Sequence, residues 1–547
     1  MPFHGGGPKP DNPGEMHWGS NRRHVERWER ILFCVFGLLA TAWAAPGGEL
    51  NLVPWPAEVT LQPGRFVIND ATTVSADPAF THEAARLARE LHLRTGPAGT
   101  NGIRLTREGA DGLPEEGYRL EVDPNGVTLH AASAAGAFYA GQTLRQLLEP
   151  DTRSLPGVRI ADAPRYAWRG LMLDVSRHFF EQATVLQLLD RMADYKLNRL
   201  HLHLTDDQAW RLAIDRYPEL TRAGARGNFS DTNAPARFFT KAEMREIIAY
   251  AAERHIVVVP EIDMPGHAGA ATRTFPQLDG GDSTFNPARE ATYDFLQNVL
   301  TEVMQTFPSP WIHFGGDEVK LDGWKHNPEV AQKLQREGLT NALQLEGEFV
   351  RRMAGFIQEH GRTPVGWDDV ITAGAGRDTV VFWWRHDRPK VLVDALAAGY
   401  QVVLTPRAPF YFDYPQDKQH PNNFAWRLVN TPEDVYHGPN LPAGLSPAEQ
   451  KRILGVEGCV WTERITTPAY LEFMTLPRLA ALAELAWTPD GERDYHRFTT
   501  RLKPRLEQFR SQGIHFYDAS DPQGSLRAAR AAANDPQHLT EIVPPKS

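Results

Sequence analysis

GLMLDVSRHFFEQATVLQLLDRMADYKLNRLHLHLTD, residues 170–206, contains one complete unit of the fold. Its first part, GLMLDVS, is an apolar run that ends on polar residues, with Arg177 next. Val185, Leu188, Leu189 and Met192 then recur at i, i+3, i+4 and i+7, which is one face of a helix. RLHLHL (199–204) is a second short apolar run, and Asp206 and Asp207 follow it. Two strands joined by a helix of this length run parallel.

The unit repeats. Further strand candidates are IVVVPEID (256–263), WIHFGG (311–316), TPVGWDD (363–369), TVVFWW (379–384), QVVLTP (401–406) and ILGVEGCVW (453–461). Met244, Ile247, Ile248 and Ala251 again have helical spacing, and Thr240 with Glu243 predicts a capping box. Eight such strands predict a (β/α)8 TIM barrel, which carries its chemistry at the C-terminal strand ends. Those ends hold Arg177; Asp206 and Asp207; Asp263 and His267; Asp317 and Glu318; Trp367; Trp384; Tyr411 and Asp413 just beyond; and Trp461 with Glu463. A doubly wound sheet would gather function at one switch point instead.

The barrel with its C-terminal helix is expected over 164–517, preceded by a small α+β domain over 50–163. In the latter, residues 118–131 alternate, turn at Asn125-Gly126 and alternate again, as a hairpin does. Residues 134–148 read as a helix, and a loop with Pro156 and Pro164 closes the domain. Downstream, 468–487 reads as one helical stretch, 498–510 as another, and 518–547 as a polar tail.

The chain has 547 residues, 41% hydrophobic and 23% charged, with net charge −10 and no concentrated basic tract in the folded part. That argues against nucleic-acid binding through phosphate neutralisation. The 14 Trp and 14 Tyr suit sugar rings. Of the two cysteines, Cys34 precedes the fold and Cys459 has no partner, so no disulfide framework and no cysteine zinc site is expected. In residues 1–45, RRHVERWER precedes an apolar run from Ile31 that ends in ATAWAAP. This predicts a signal peptide and export, periplasmic or secreted. A start at Met16 and an uncleaved membrane anchor remain alternatives.

Several groupings carry chemistry. His201 and His203 are i, i+2 on a strand and share a face, either as metal ligands or as a hydrogen-bonded barrel layer. Asp263 and His267 flank a Pro-Gly turn, where a carboxylate–imidazole pair would tune an acid. Arg177 can bind vicinal hydroxyls with a forked guanidinium or pair with Asp174. Trp367, Trp384 and Trp461 at equivalent strand ends suggest an aromatic-walled pocket, which Tyr411 and Asp413 could face. HFGGDEV (313–319) places two adjacent carboxylates, Asp317 and Glu318, after two glycines that permit an unusual bend.

LVPWPAEV (52–59), WRGLMLDVSRHFF (168–180), KLNRLHLHLTDDQAWRL (196–212), VVPEIDMPGHA (258–268), HFGGDEV, GWDD (366–369), YFD (411–413) and GCVWTE (458–463) occur in order. Over about 50–517 the chain thereby resembles the family 20 glycoside hydrolases, the β-N-acetylhexosaminidases. The resemblance implies an exo-acting, retaining enzyme that releases terminal β-linked GlcNAc or GalNAc from oligosaccharides or glycoconjugates. The substrate's own acetamido oxygen would attack, without metal or cofactor. It implies Glu318 as general acid/base, with a raised pKa from burial and from Asp317. Asp317 would hold the acetamido N–H in ionised form, and Tyr411 would bind the acetamido oxygen. The three tryptophans would form its walls. Arg177 would anchor O3 and O4, and Asp413 and Glu463 would bind hydroxyls. Asp263 with His267 would support the acid, and Asp206 would lie behind them. A carbohydrate-binding pseudoenzyme and a metal-dependent barrel hydrolase are the rival readings.

Overall fold

The computed structural model describes residues 50–533 except 98, 100, 150 and 419–427. The proposed leader, residues 1–45, lies outside the described residues. All eight expected strands form: β1 Trp168–Asp174, β2 Arg199–His203, β3 Val257–Glu261, β4 Trp311–His313, β5 Thr363–Trp367, β6 Val380–Trp383, β7 Val402–Leu404 and β8 Ile453–Val460. They pair in parallel and close, β8 returning to β1. Helix Gln182–Asp194 buries Val185, Leu188, Leu189 and Met192, the predicted face. Helix Lys241–Ala252 begins with the complete Thr240–Glu243 capping box.

Register explains what fills the barrel. Glu261 pairs with His203 on one side and with His313 on the other, so three polar side chains from β2, β3 and β4 meet at one level. β4 is three residues long, and a further bond, from Trp367 N–H to Gly315 O at 3.0 Å, carries the pairing to the first of the two glycines that the sequence had placed on the strand.

The preceding domain is a seven-stranded mixed sheet with helices Thr81–Glu90 and Ala134–Leu147. The 118–131 hairpin forms as expected. The expected closing loop does not: Ser154–Asp162 is a nine-residue strand between the sheet's first strand, Glu58–Val67, and the hairpin. Pro156 is tolerated because it sits opposite Arg65, beside a register shift in the partner strand.

Buried polar contacts clamp this domain to the strand-entry side of the barrel. Asp162 accepts from Lys196 Nζ at 3.2 Å and from the Trp487 indole at 2.9 Å. Arg169 donates to both oxygens of Glu116 at 2.8 Å. The opposite end of the barrel is left open.

The stretch 468–487 is two helices, Pro468–Thr475 and Arg478–Trp487, because Pro477 cannot donate the next helical hydrogen bond. The next helix spans Tyr495–Ser511. The expected polar tail holds one more, Pro522–Ala532, whose Leu526, Ala529 and Ala532 are buried. The small alanines supply an apolar face that charge-rich composition concealed. Among the described residues, no helix is long and apolar enough to cross a membrane.

Candidate functional site

A cleft of about 710 Å³ opens at the C-terminal strand ends. Its lining includes Arg177, Asp206, Asp263, His267, Asp317, Glu318, Trp384, Tyr411, Asp413, Trp461 and Glu463. Eleven of the twelve residues to which the resemblance gave roles therefore share one space. Trp367 is the exception: it is fully buried beneath the cleft, 5.8 Å from Trp461, and supports that wall without lining it. His203, Arg407 and Tyr414 complete the lining. The last two went unnoticed in the sequence, although they flank Tyr411 and Asp413 in one loop.

The adjacent carboxylates reach the same cleft because the backbone turns sharply. Gly315 and Gly316 have φ of +70° and +90°, and Glu318 itself has φ of +48°. A Cβ on Gly316 would lie 2.3 Å from Val370 Cγ1. Holding a non-glycine residue such as Glu318 left-handed costs about 1–2 kcal/mol, a strain found preferentially at working sites. His267, at φ +49°, shares it.

Burial divides this pair opposite to expectation. The Glu318 side chain is 58% exposed, so the expected burial of this residue is not found. Asp317 is the buried member, and burial pushes its carboxyl up to about 8, with Glu318 adding to the shift and His267 opposing it. The glycine turn swings Asp317 inward and leaves Glu318 at the mouth.

The expected Asp263–His267 pair is also rearranged. His267 Nδ1 lies 3.3 Å from Asp206 Oδ1, and Nε2 faces Asp317 at 3.8 Å and Glu318 at 3.7 Å. Asp263 carries two buried carboxyl oxygens without a hydrogen-bond partner among the described residues. Burial and the neighbouring Asp317 hold it well above the usual carboxylate range. Asp206 takes the central place: it accepts from Arg177 Nη2 at 2.7 Å and His203 Nε2 at 2.9 Å. Burial would raise it, yet Arg177 and His267 outweigh this and keep it well below its ordinary value. Arg177 also reaches Asp174 at 3.5 Å, the pairing that the sequence reading offered as one of two, while it lines the cleft.

The walls are fixed from behind. Trp384 donates its indole N–H to Asp369 Oδ2 at 2.9 Å, with the Arg407 guanidinium 5.0 Å from the ring centre. Trp461 packs against Arg177 at 4.9 Å and Tyr411 at 6.0 Å. Asp413 is pushed well up by burial and by Glu463, and burial likewise raises Glu463. Two carboxyls and a guanidinium thus offer donors and acceptors for hydroxyls beside aromatic faces.

His201 and His203 form the hydrogen-bonded barrel layer. His201 Nδ1 is 2.9 Å from Glu457, and His203 is bonded to Glu261 and Asp206. Among the described residues, the atoms close enough to share a cation are those of His201, Glu261 and His313; His203, Asp206 and Asp263; Asp206, Asp207 and His267; and Asp263, His267 and Asp317. Several of these nitrogens already face carboxylates.

Residues 166–490 match the profile of the Glycosyl hydrolase family 20 catalytic domain, and 49–163 match domain 2 of the same family. A beta-hexosaminidase of Porphyromonas gingivalis is 32% identical over 88% of this chain and 67% of its own length. A beta-N-acetylhexosaminidase of Cellulomonas fimi is 36% identical over 83% and 93%. The exo-β-N-acetylglucosaminidase of Vibrio harveyi, solved with N-acetylglucosamine, superimposes with TM-score 0.78 at 30% identity, covering 86% of this chain and 78% of that one. The Streptomyces coelicolor β-N-acetylhexosaminidase gives 0.77 at 33% identity, covering 87% and 99%. Both halves of the molecule and the cleft between its strand ends lead to the same place: the chain belongs to glycoside hydrolase family 20 and is a glycoside hydrolase.

Proposed function

We propose that the chain is an exo-acting, retaining β-N-acetylhexosaminidase that releases terminal GlcNAc or GalNAc by substrate-assisted catalysis. The observation that carries this reading is that adjacent Asp317 and Glu318 face one cleft together with Trp384, Tyr411 and Trp461. The roles differ because the positions differ. Glu318, at the mouth, suits the leaving oxygen. Asp317, buried against the aromatic walls, suits the acetamido N–H, and Tyr411 the acetamido oxygen.

In the first step the acetamido oxygen bonds to C1 as the glycosidic C1–O bond breaks. Glu318 gives its proton to the departing oxygen. The positive charge of the resulting oxazolinium lies beside Asp317, whose ionised form it favours. In the second step Glu318 takes a proton from water, whose oxygen bonds to C1 as the bond between C1 and the acetamido oxygen breaks. Two inversions give retention. Arg177, Asp413 and Glu463 hold the ring hydroxyls.

An N-acetylhexosamine at the end of an oligosaccharide or glycoconjugate is the substrate. Export is proposed on the signal-like segment that ends near Ala45. Hydrolysis of an aryl β-N-acetylglucosaminide beside its β-glucoside tests the reading. Turnover of the first and at most weak turnover of the second is expected; equal rates would sink substrate assistance.

A further inference from the structure

Beneath the cleft, buried residues of the barrel form a continuous row that rises into the cleft lining. Glu457 on β8 faces His201 Nδ1 at 2.9 Å, and His201 Nε2 lies 3.2 Å from Glu261 Oε2. The same Glu261 oxygen accepts from His203 Nδ1, and His203 Nε2 is 2.9 Å from Asp206. Asp206 continues to His267, which faces Asp317 and Glu318. Glu261 branches at its other oxygen. There it accepts the Trp367 indole N–H at 2.8 Å and lies 2.9 Å from His313 Nδ1.

We propose that Glu261, fully buried and out of substrate reach, is a positioning residue that ties the aromatic wall to the acid/base side of the cleft. It does so through Trp367 on one oxygen and through His203, Asp206 and His267 on the other. This rests on the activity proposed above.

The geometry requires charge in this row. Both nitrogens of His203 face carboxylate oxygens, so both carry protons, and an imidazolium results. Burial opposes that charge, yet Glu261 and Asp206 raise His203 well above its ordinary value. Burial would neutralise Glu261, and the histidines hold it ionised. His313, pushed down to about 4 by burial, is neutral. The groups facing His203 are thus Glu261 from β3, Asp206 beyond β2, Asp263 beyond β3, and the Trp461 ring at 5.0 Å. Glu261 also raises Asp317, so its charge is felt at the catalytic pair.

The test compares Glu261→Gln with Glu457→Gln, which alters an equally buried carboxyl group at the far end of the row. Glu261→Gln is expected to lower kcat on an aryl β-N-acetylglucosaminide by about tenfold or more, as small displacements in a site do. The limb of the pH profile that reports Asp317 ionisation should move to lower pH by about half a unit or more. Glu457→Gln should stay within about twofold, with an unmoved profile. Equal losses in both variants, or an unmoved profile in Glu261→Gln, would show a merely structural role and overturn the proposal. Trp367→Phe removes the indole N–H together with part of the ring; kcat unchanged there would also count against it. Imidazole ¹⁵N NMR separates this inference from the activity. If the wild type hydrolyses no N-acetylhexosaminide, the proposed function fails. The inference still stands if His203 is doubly protonated in wild type and gives up its proton at lower pH in Glu261→Gln, and falls if the two titrations agree.

Discussion

Asp263 occupies the space where a side chain on Gly315 would begin: a Cβ there would lie 1.7 Å from Asp263 Oδ1. The turn that delivers Asp317 and Glu318 is therefore packed directly on the carboxyl beneath it.

Gly315→Ala should lose activity out of proportion to stability. The left-handed backbone alone costs about 1–2 kcal/mol, and the overlap with Asp263 must push either the carboxyl or the turn aside. A fall in kcat of about 10²-fold is expected from the displaced pair, in protein that still melts cooperatively. Kinetics alongside thermal unfolding measure both.

Much of this was legible beforehand, for physical reasons that differ by feature. Short apolar runs with polar or aromatic residues at or just beyond their ends marked all eight strands, because a barrel strand is buried along its length and opens at one end. The burial of Asp317 rather than Glu318 was not legible, since it depends on φ angles at 315, 316 and 318. The exchange of Asp263 for Asp206 as partner of His267 depends on how two strand ends are placed in space. Glu261 escaped notice inside VVVPE, although a lone charge in an apolar strand asks for a buried partner. Pro156 was misread because its strand needs the register shift in the partner to accommodate it.

Asp317→Asn should trade activity for stability. The folded-state pKa of Asp317 is raised to about 8 by burial, above its unfolded value near 4. Between those values the unfolded chain ionises first, so stability falls as pH rises through that window. The asparagine variant escapes this and should gain over wild type increasingly from pH 5 to pH 8. Its first chemical step should slow by about 10²-fold or more even with a good leaving group. Unfolding at pH 5 and pH 8 and single-turnover kinetics check the two halves. A stability gain independent of pH would contradict the assignment of burial to Asp317.

Glu318→Gln should discriminate among leaving groups. An acid matters most when the departing oxygen is basic, so natural disaccharides should lose about 10²-fold or more. Aryl glycosides with strongly acidic phenols should lose far less in the first step, because their leaving oxygen needs no proton. Plotting rate against phenol pKa should give a steeper slope for the variant than for wild type. Parallel lines would remove Glu318 as the acid.

The central claim is that the nucleophile is the substrate's acetamido oxygen, which frees Asp317 and Glu318 to sit side by side. It is tested most directly with aryl N-acetylglucosaminides whose acetyl methyl carries zero to three fluorines. Each fluorine weakens the carbonyl oxygen as a nucleophile while leaving the scissile bond in place. The account predicts that log(kcat/KM) falls steeply and in order across the four compounds. A flat series would mean that a protein carboxylate attacks C1, and the assignment of Asp317 would be wrong.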